Sequence, residues 1–194
     1  MTATALPSWA PPDERRPAPE PLLLVQAFLN TLDLDLGTDL LADASSALAW
    51  LTDADLIGPG ATLTAHDLGL TRQVRAGIRA LLSHNSGGPA PSAGDLQALS
   101  VVAEACLARL ALDGSGQLRL LPQFPGRLEG GLVRLLLVIR DAQLDGTWQR
   151  LKICSNDDCR WSFYDRSRNR QGTWCDMASC GNRMKNRRFR ARHR

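Results

Sequence analysis

The sequence predicts a mostly helical, α+β protein: a helical N-terminal domain with a small β element, then a small cysteine-bearing module that ends in a basic helix. Three observations predict it. Apolar residues recur at helical spacing between Leu22 and Ala142, interrupted by Gly/Pro breaks. Four of the five cysteines fall in two close pairs near the C-terminus. The last dozen residues carry seven cations and no acid.

Taken in order, residues 1–19 hold Pro7, Pro11, Pro12, Pro17 and Pro19 among charged and small side chains and read as a disordered or extended lead-in. The helical domain is placed at 20–149. Leu24, Ala27, Phe28 and Leu32 set a first helix near 21–34. Asp39 is positioned to cap a second, running through Leu48 and Leu51 to about Leu56, where Gly58-Pro59-Gly60 stops it. A third covers 66–84 with Val74, Ile78 and Leu82 inward and Arg72, Arg75 and Arg79 mostly on the other side. Asp95 opens a fourth, through about Cys106. The segments 107–112 and 117–121 around Asp113-Gly114-Ser115-Gly116 read as a short hairpin, and 130–142 returns to helix. Cys106 reads as a small core residue, and His66 and His84 as surface or capping residues.

Charge divides the chain. Residues 1–149 hold 10 Lys/Arg against 16 Asp/Glu, net −6, whereas 150–194 hold 13 against 4, net +9. That polarity suggests two modules with different partners, the basic one suited to a polyanion. No window approaches the ~18 apolar residues of a membrane span, and the first 20 residues lack a signal-peptide pattern, so the expected location is cytoplasmic, where disulfides are uncommon.

In that compartment the pattern C-x4-C-x15-C-x4-C, formed by Cys154, Cys159, Cys175 and Cys180, reads as a metal site. Each pair turns the chain back on one ion, and the intervening loop completes a tetrahedron. Four thiolates suit one Zn2+ and leave no open position for a catalytic water, so the metal is expected to be structural. A segment of 45 residues is too small to fold on its own core, and metal binding supplies on the order of 10 kcal/mol. Trp161, Phe163, Tyr164 and Trp174 are read as a miniature core around the ligands, with Tyr164 the best placed to keep its hydroxyl outward.

Cationic residues frame this site. A helix from about Asp176 would put Met177 and Met184 on one face against the zinc loops, and Arg183, Arg187, Arg190 and Arg194 along another, flanked by Lys185, Arg188 and Arg192. Phosphate relieves the self-repulsion of such a helix. Gly181 suits a close approach or an unusual backbone angle. Asn182 could read an adenine edge or hold backbone near the metal. Arg166, Arg168 and Arg170, in the loop between the ligand pairs, would point the same way if that loop were extended, and are further candidates for phosphate contact.

These residues resemble a known family. Leu151-Lys152-x-Cys154-x4-Cys159-Arg160-Trp161-x-Phe163-Tyr164-Asp165-x-Ser167-Arg168-Asn169, then Trp174-Cys175-x-Met177-x2-Cys180-Gly181-Asn182-Arg183-x-Lys185, is similar to the bacterial CGNR zinc finger, named for Cys180 to Arg183. Upstream, Phe28-Leu29-Asn30-Thr31-Leu32, Asp39-Leu40-Leu41 and Leu48-Ala49-Trp50-Leu51 resemble the ABATE domain that precedes this finger. The resemblance implies a bacterial, often stress-related transcription regulator. Its finger (150–194) would bind DNA while its first domain senses a small-molecule effector or forms a homodimer. An RNA-binding or ribosome-associated zinc protein is the alternative, since the same charge suits both nucleic acids. No Gly-rich phosphate loop or nucleophile–base signature is present, and His193 is the only histidine of the basic module, so an enzyme is not expected.

Overall fold

The computed structural model describes residues 5–193, without the side chain of Arg188. At its centre lies α1 (Leu22–Leu29), whose eight residues are all buried. An octapeptide that is apolar almost all round cannot sit at a surface. Its one polar member, Gln26, is fully buried and satisfied: its Oε1 accepts from Ala18 N (2.7 Å), and its Nε2 donates to Arg16 O (3.1 Å) and Ser162 O (3.2 Å). The helix ends earlier than the expected 34. Beyond Asn30 the chain turns into a two-residue ladder, β1 (Leu32–Asp33) against β2 (Thr38–Asp39). Asp33 Oδ1 holds the intervening turn by accepting from Asp35 N and Leu36 N.

Helix α2 (Ala44–Asp53) is capped by Asp43, which accepts from Ser45 N and Ser46 N. The expected cap, Asp39, lies in β2 and is taken by a tertiary partner: Arg75 grips its carboxylate through two nitrogens at 2.6 and 2.7 Å. Helix α3 (Ala65–Asn85) matches expectation closely and carries a Thr64/Asp67 capping box. Its arginines do not all face away from the core. Arg75 is buried, and Arg79 turns inward to donate to Leu29 O (2.8 Å), at the carbonyl end of α1, and to Leu32 O (3.0 Å) of β1. In α4 (Ala93–Glu104) Ser92 is the cap and Asp95 its capping-box partner, so the helix starts about one turn before the expected Asp95. Gly77 lets α3 and α4 approach, since a Cβ there would lie 2.8 Å from Asp95 O.

The hairpin follows as expected: β3 (Ala108–Leu112) pairs antiparallel with β4 (Leu118–Pro122), Leu110 opposite Leu120. Helix α5 (Leu128–Leu144) packs on α1 and β4. A 3-10 turn at Trp148–Arg150 leads to β5 (Leu151–Ile153), which pairs antiparallel with β6 (Ser162–Tyr164). Strand β5 runs along α3 and β6 meets α1. Leu151, Ile153 and Tyr164 therefore join the same core as Phe28, Ile78 and Leu135, and packing is continuous across residue 150.

Residues 5–20, in the stretch expected to be a disordered or extended lead-in, form a strap between α1, α2 and the cysteine module, with Ala10 and Ala18 buried. Trp50 Nε1 donates to Trp9 O (3.0 Å), and Tyr164 N donates to Arg16 O (2.9 Å). Prolines make this arrangement inexpensive: they lack N–H groups that would need partners and restrict the unfolded chain in advance. Cys106 is half-buried at the edge of the core, and His66 and His84 are exposed, His84 Nδ1 lying 3.2 Å from Gly88 O. Among the described residues no helix is long and apolar enough to cross a membrane.

Candidate metal centre and nucleic-acid interface

The first ligand pair sits on a tight loop that leaves β5. Cys154 N donates to Trp161 O (2.9 Å), while Cys159 N and Arg160 N both donate to Asn156 O (2.9 Å each). Arg160 completes the turn with φ of +51°. Ser155 N then donates to Thr173 O (3.0 Å), which brings the segment before Cys175 alongside the first pair. Cys180 arrives from a single π turn, Met177–Gly181, started by Asp176, whose carboxylate accepts from Ala178 N (3.2 Å) and Ser179 Oγ (3.0 Å).

The four sulfurs lie within 4.8 Å of one another. Cys159 and Cys175 Sγ are 3.7 Å apart, and Cys175 and Cys180 Sγ 3.8 Å. Zn–S bonds of about 2.3 Å imply a tetrahedron edge of about 3.8 Å, so the cluster has the size a zinc ion requires. Its electrostatics require one as well. Contact among the thiols lowers Cys154 and raises Cys159 and Cys175. Thiolates this close repel one another, so four of them need a cation among them. Asn156 supports the site from a buried position, Nδ2 donating to Cys180 Sγ at 3.7 Å. The geometry and the donor set fit one structural zinc held by Cys154, Cys159, Cys175 and Cys180, and a zinc ion there would cross-link the two loops.

Of the four aromatics expected around the ligands, two pack there, whereas Tyr164 and the fully buried Phe163 are not part of the sulfur cluster. Tyr164 lies in the main core, so its ring belongs to the helical domain's interior. Trp161 and Trp174 lie against the sulfur cluster. Trp161 Nε1 donates to Glu14 (2.9 Å), a strap residue that also accepts from Asn30 Nδ2 (3.1 Å). Burial pushes the Glu14 carboxyl above its ordinary value despite these hydrogen bonds.

The loop between the ligand pairs is bent, not extended. Lys152, buried beneath it, pairs with the wholly buried Asp165 (3.0 Å) and donates to Arg170 O. Asp165 in turn accepts from Ser167 N (3.0 Å) and Gly172 N (2.6 Å). Burial opposes the charge on Asp165, but these hydrogen bonds and the ammonium outweigh it and hold its pKa well below the usual range. Arg170 has φ of +53°, and Arg166 turns back to donate to Pro17 O (2.9 Å). Arg166, Arg168 and Arg170 are exposed, yet they do not form one straight row.

Helix α6 (Asn182–Arg192) continues from the π turn. Asn182 Nδ2 donates to Ala178 O (3.1 Å), a backbone-holding role. Gly181 has an ordinary helical φ of −60°. Its need is space, since a Cβ there would meet Met177 Sδ at 2.5 Å and Trp174 Cδ1 at 3.2 Å. Met177 is half-exposed, so the expected two-methionine packing face is only partly made. Arg183 forms a two-nitrogen pair with Asp35 of the β1–β2 turn (2.7 Å each), and Arg187 pairs with Asp158 (2.7 Å). The face expected to lie outward thus contains two ion pairs, one to the β1–β2 turn and one to the loop of the first cysteine pair. The open groove is lined instead by Lys185, Asn186, Phe189, Arg192 and His193. Phe189 is 61% exposed and stacks on His193 with ring centroids 4.1 Å apart. Lys185 and Arg190 are exposed, and Arg188 and Arg194 fall outside the described side chains.

Sequence reasoning missed the acids and cations that join the two halves, Glu14, Arg15, Arg16 and Asp35, and Asp158, which holds Arg187 within the basic half. Arg15 pairs with Asp176 (2.5 Å), and Arg16 donates to Trp174 O (2.9 Å) while lying over the Phe163 ring. No local pattern marks them. Only the Arg15-Arg16 doublet inside a proline-rich stretch hints at a bound strap.

Two family models match the chain. One, described as "CGNR zinc finger", matches residues 150–193. The other, ABATE, described as "Putative stress-induced transcription regulator", matches residues 23–143. No curated protein matches the chain. The second match spans well over half of the sequence, and the chain therefore belongs to the ABATE family, with a CGNR zinc finger at its C-terminal end. Neither family is one of enzymes.

Proposed function

We propose that this ABATE-family protein is a zinc-dependent DNA-binding regulator, in which the zinc centre fixes the root of α6 and α6 carries the contact surface to the phosphate backbone. One observation carries the reading: an 11-residue helix with Arg183, Lys185, Arg187, Arg188, Arg190 and Arg192 and no acid of its own stands directly on the four-cysteine cluster. Lys185, Arg190 and Arg192 have no acid partner among the described residues and would meet phosphate first. Arg183 and Arg187 can exchange Asp35 and Asp158 for phosphate. The loop cations Arg166, Arg168 and Arg170 add a second contact. The helical domain contributes orientation. A signal received within 23–143 has a short route to the finger, because Gln26 and Asn30 of α1 and its C-terminal end both bond Ser162 of β6.

The test is fluorescence anisotropy of the zinc-loaded protein with duplex DNA across a salt series. Three to five phosphate contacts give a slope of log K against log salt of about −3 to −5. Absence of duplex binding at low salt sinks the proposal. A second reading has one observation in its favour: the exposed Phe189–His193 stack is a surface on which an unpaired base could lie, as in single-stranded RNA recognition. Competition between duplex DNA and a structured RNA with single-stranded loops separates the two.

A further inference from the structure

We propose that the β3–β4 ribbon is a self-association surface, its leucine face seating against the same face of a second copy of this chain. The register puts Ala108 opposite Pro122, Leu110 opposite Leu120 and Leu112 opposite Leu118. Directly opposed residues share a face, so one side of the ribbon is wholly apolar. Leu110, Leu112 and Leu118 on that side are 68%, 69% and 68% exposed. The charged residues Arg109 and Arg119 fall on the other side.

The ribbon is a built element and not a frayed loop. Asp113 organises its turn, accepting from Ser115 N (2.9 Å), Gln117 N (3.0 Å), Ser115 Oγ (2.6 Å) and Arg119 Nε (2.7 Å). That last contact also draws the Arg119 charge back along the ribbon. Strand β4 packs on α5, while the main partner of β3 is β4. A two-stranded ribbon is marginal in water unless a further layer covers it, and the other strands among the described residues are committed to separate ladders.

Size and symmetry identify the covering layer. Three leucines about two-thirds exposed, with the exposed Ala108 on the same side, amount to several hundred Å² of apolar surface, more than scattered surface residues provide. Doubled by a two-fold contact, the area approaches the ~1,000 Å² of a weak interface. The face carries no charge, so nothing on it selects a foreign partner or repels its own copy. An isologous contact demands only that the face match itself, and two leucine ribbons satisfy that by packing sheet on sheet. The inference stands whether or not α6 binds nucleic acid.

Sedimentation velocity of the zinc-loaded full chain from ~0.1 to ~100 µM tests it, a range spanning the weaker interfaces of this size. The expected result is a concentration-dependent dimer. Leu110→Glu, Leu112→Glu and Leu118→Glu each weaken it by at least ~100-fold, as loss of a central apolar anchor does, with zinc content and helicity unchanged. Arg109→Glu, on the opposite face, leaves the dimer intact. Should a glutamate variant lose its zinc or its helicity, Leu110→Ser with Leu118→Ser replaces it and is expected to dissociate the dimer. A monomer at the highest concentration overturns the proposal, as does a dimer indifferent to the leucine variants, or association only with a foreign protein.

Discussion

Burying an ammonium costs several kcal/mol unless an anion and hydrogen-bond acceptors meet it, and Lys152 is met by Asp165 and by the carbonyl of Arg170. That single arrangement determines the path of residues 166–172. Asp165→Asn removes the anion and leaves the ammonium uncompensated, and is expected to cost about 3 kcal/mol, read as a lower urea midpoint at pH 7. The pH dependence follows from the direction of the Asp165 shift. Its pKa is lower in the folded than in the unfolded chain, so the folded state binds fewer protons. The stability this gives is complete above the unfolded value of about 3.9 and disappears as pH falls through the folded value. Denaturation curves of wild type and Asp165→Asn should therefore converge on acidification below about pH 4. At this scale legibility depended on distance along the chain. The cysteines announced themselves because their spacing is local and repeated. Asp35 did not, because its partner Arg183 lies 148 residues away and nothing beside it differs from any turn aspartate.

Among the elements, α3 and α5 were legible because each has one buried stripe of apolar residues, and the β3–β4 hairpin because a turn sequence separates two short apolar runs. The C-terminal limit of α1 was not, since a helix apolar all round gives no phase from which to read its end. The choice between Asp39 and Asp43 as the α2 cap was equally closed to local reasoning: both are aspartates before an apolar run, and a tertiary arginine decides. Strands β5 and β6 are three residues each, too short for any periodicity. Their place in the main core changes what metal loss should do. The finger does not separate at residue 150, because Leu151, Ile153 and Tyr164 are anchored among α1 and α3 side chains. Chelation, or Cys175→Ser, is instead expected to release 154–193 together with the strap, whose Glu14, Arg15 and Arg16 bond Trp161, Asp176 and Trp174. Hydrogen exchange should show protection lost in 154–193 and 5–20 and retained in α3 and α5. Loss confined to 154–193 would mean the strap holds to α1 and α2 by itself.

On the scale of the molecule, the opposite charges of the two halves suggested separate partners, but part of that charge is spent between the halves. Asp35 of the acidic half holds Arg183 of the basic helix, and Arg15 of the acidic half holds Asp176. An exposed pair such as Asp35–Arg183 contributes about 0.5 kcal/mol to stability, so Asp35→Ala should barely move the melting temperature or the zinc content. Its effect on polyanion binding is expected to be larger and of opposite sign. The Arg183 guanidinium presents two N–H groups that fit a carboxylate or a phosphate equally well. While Asp35 occupies them, a phosphate must displace it and overcome its negative charge. With Asp35 removed, the arginine is free and one acid no longer faces the helix. Affinity for duplex DNA at low salt should then rise several-fold, with the salt slope steeper by about one contact. Arg183→Ala breaks the same clasp but removes the cation as well, and affinity should fall. Titrating both variants against one duplex makes the comparison decisive. Opposite shifts place Arg183 on the phosphate, whereas equal shifts in one direction confine it to orienting α6.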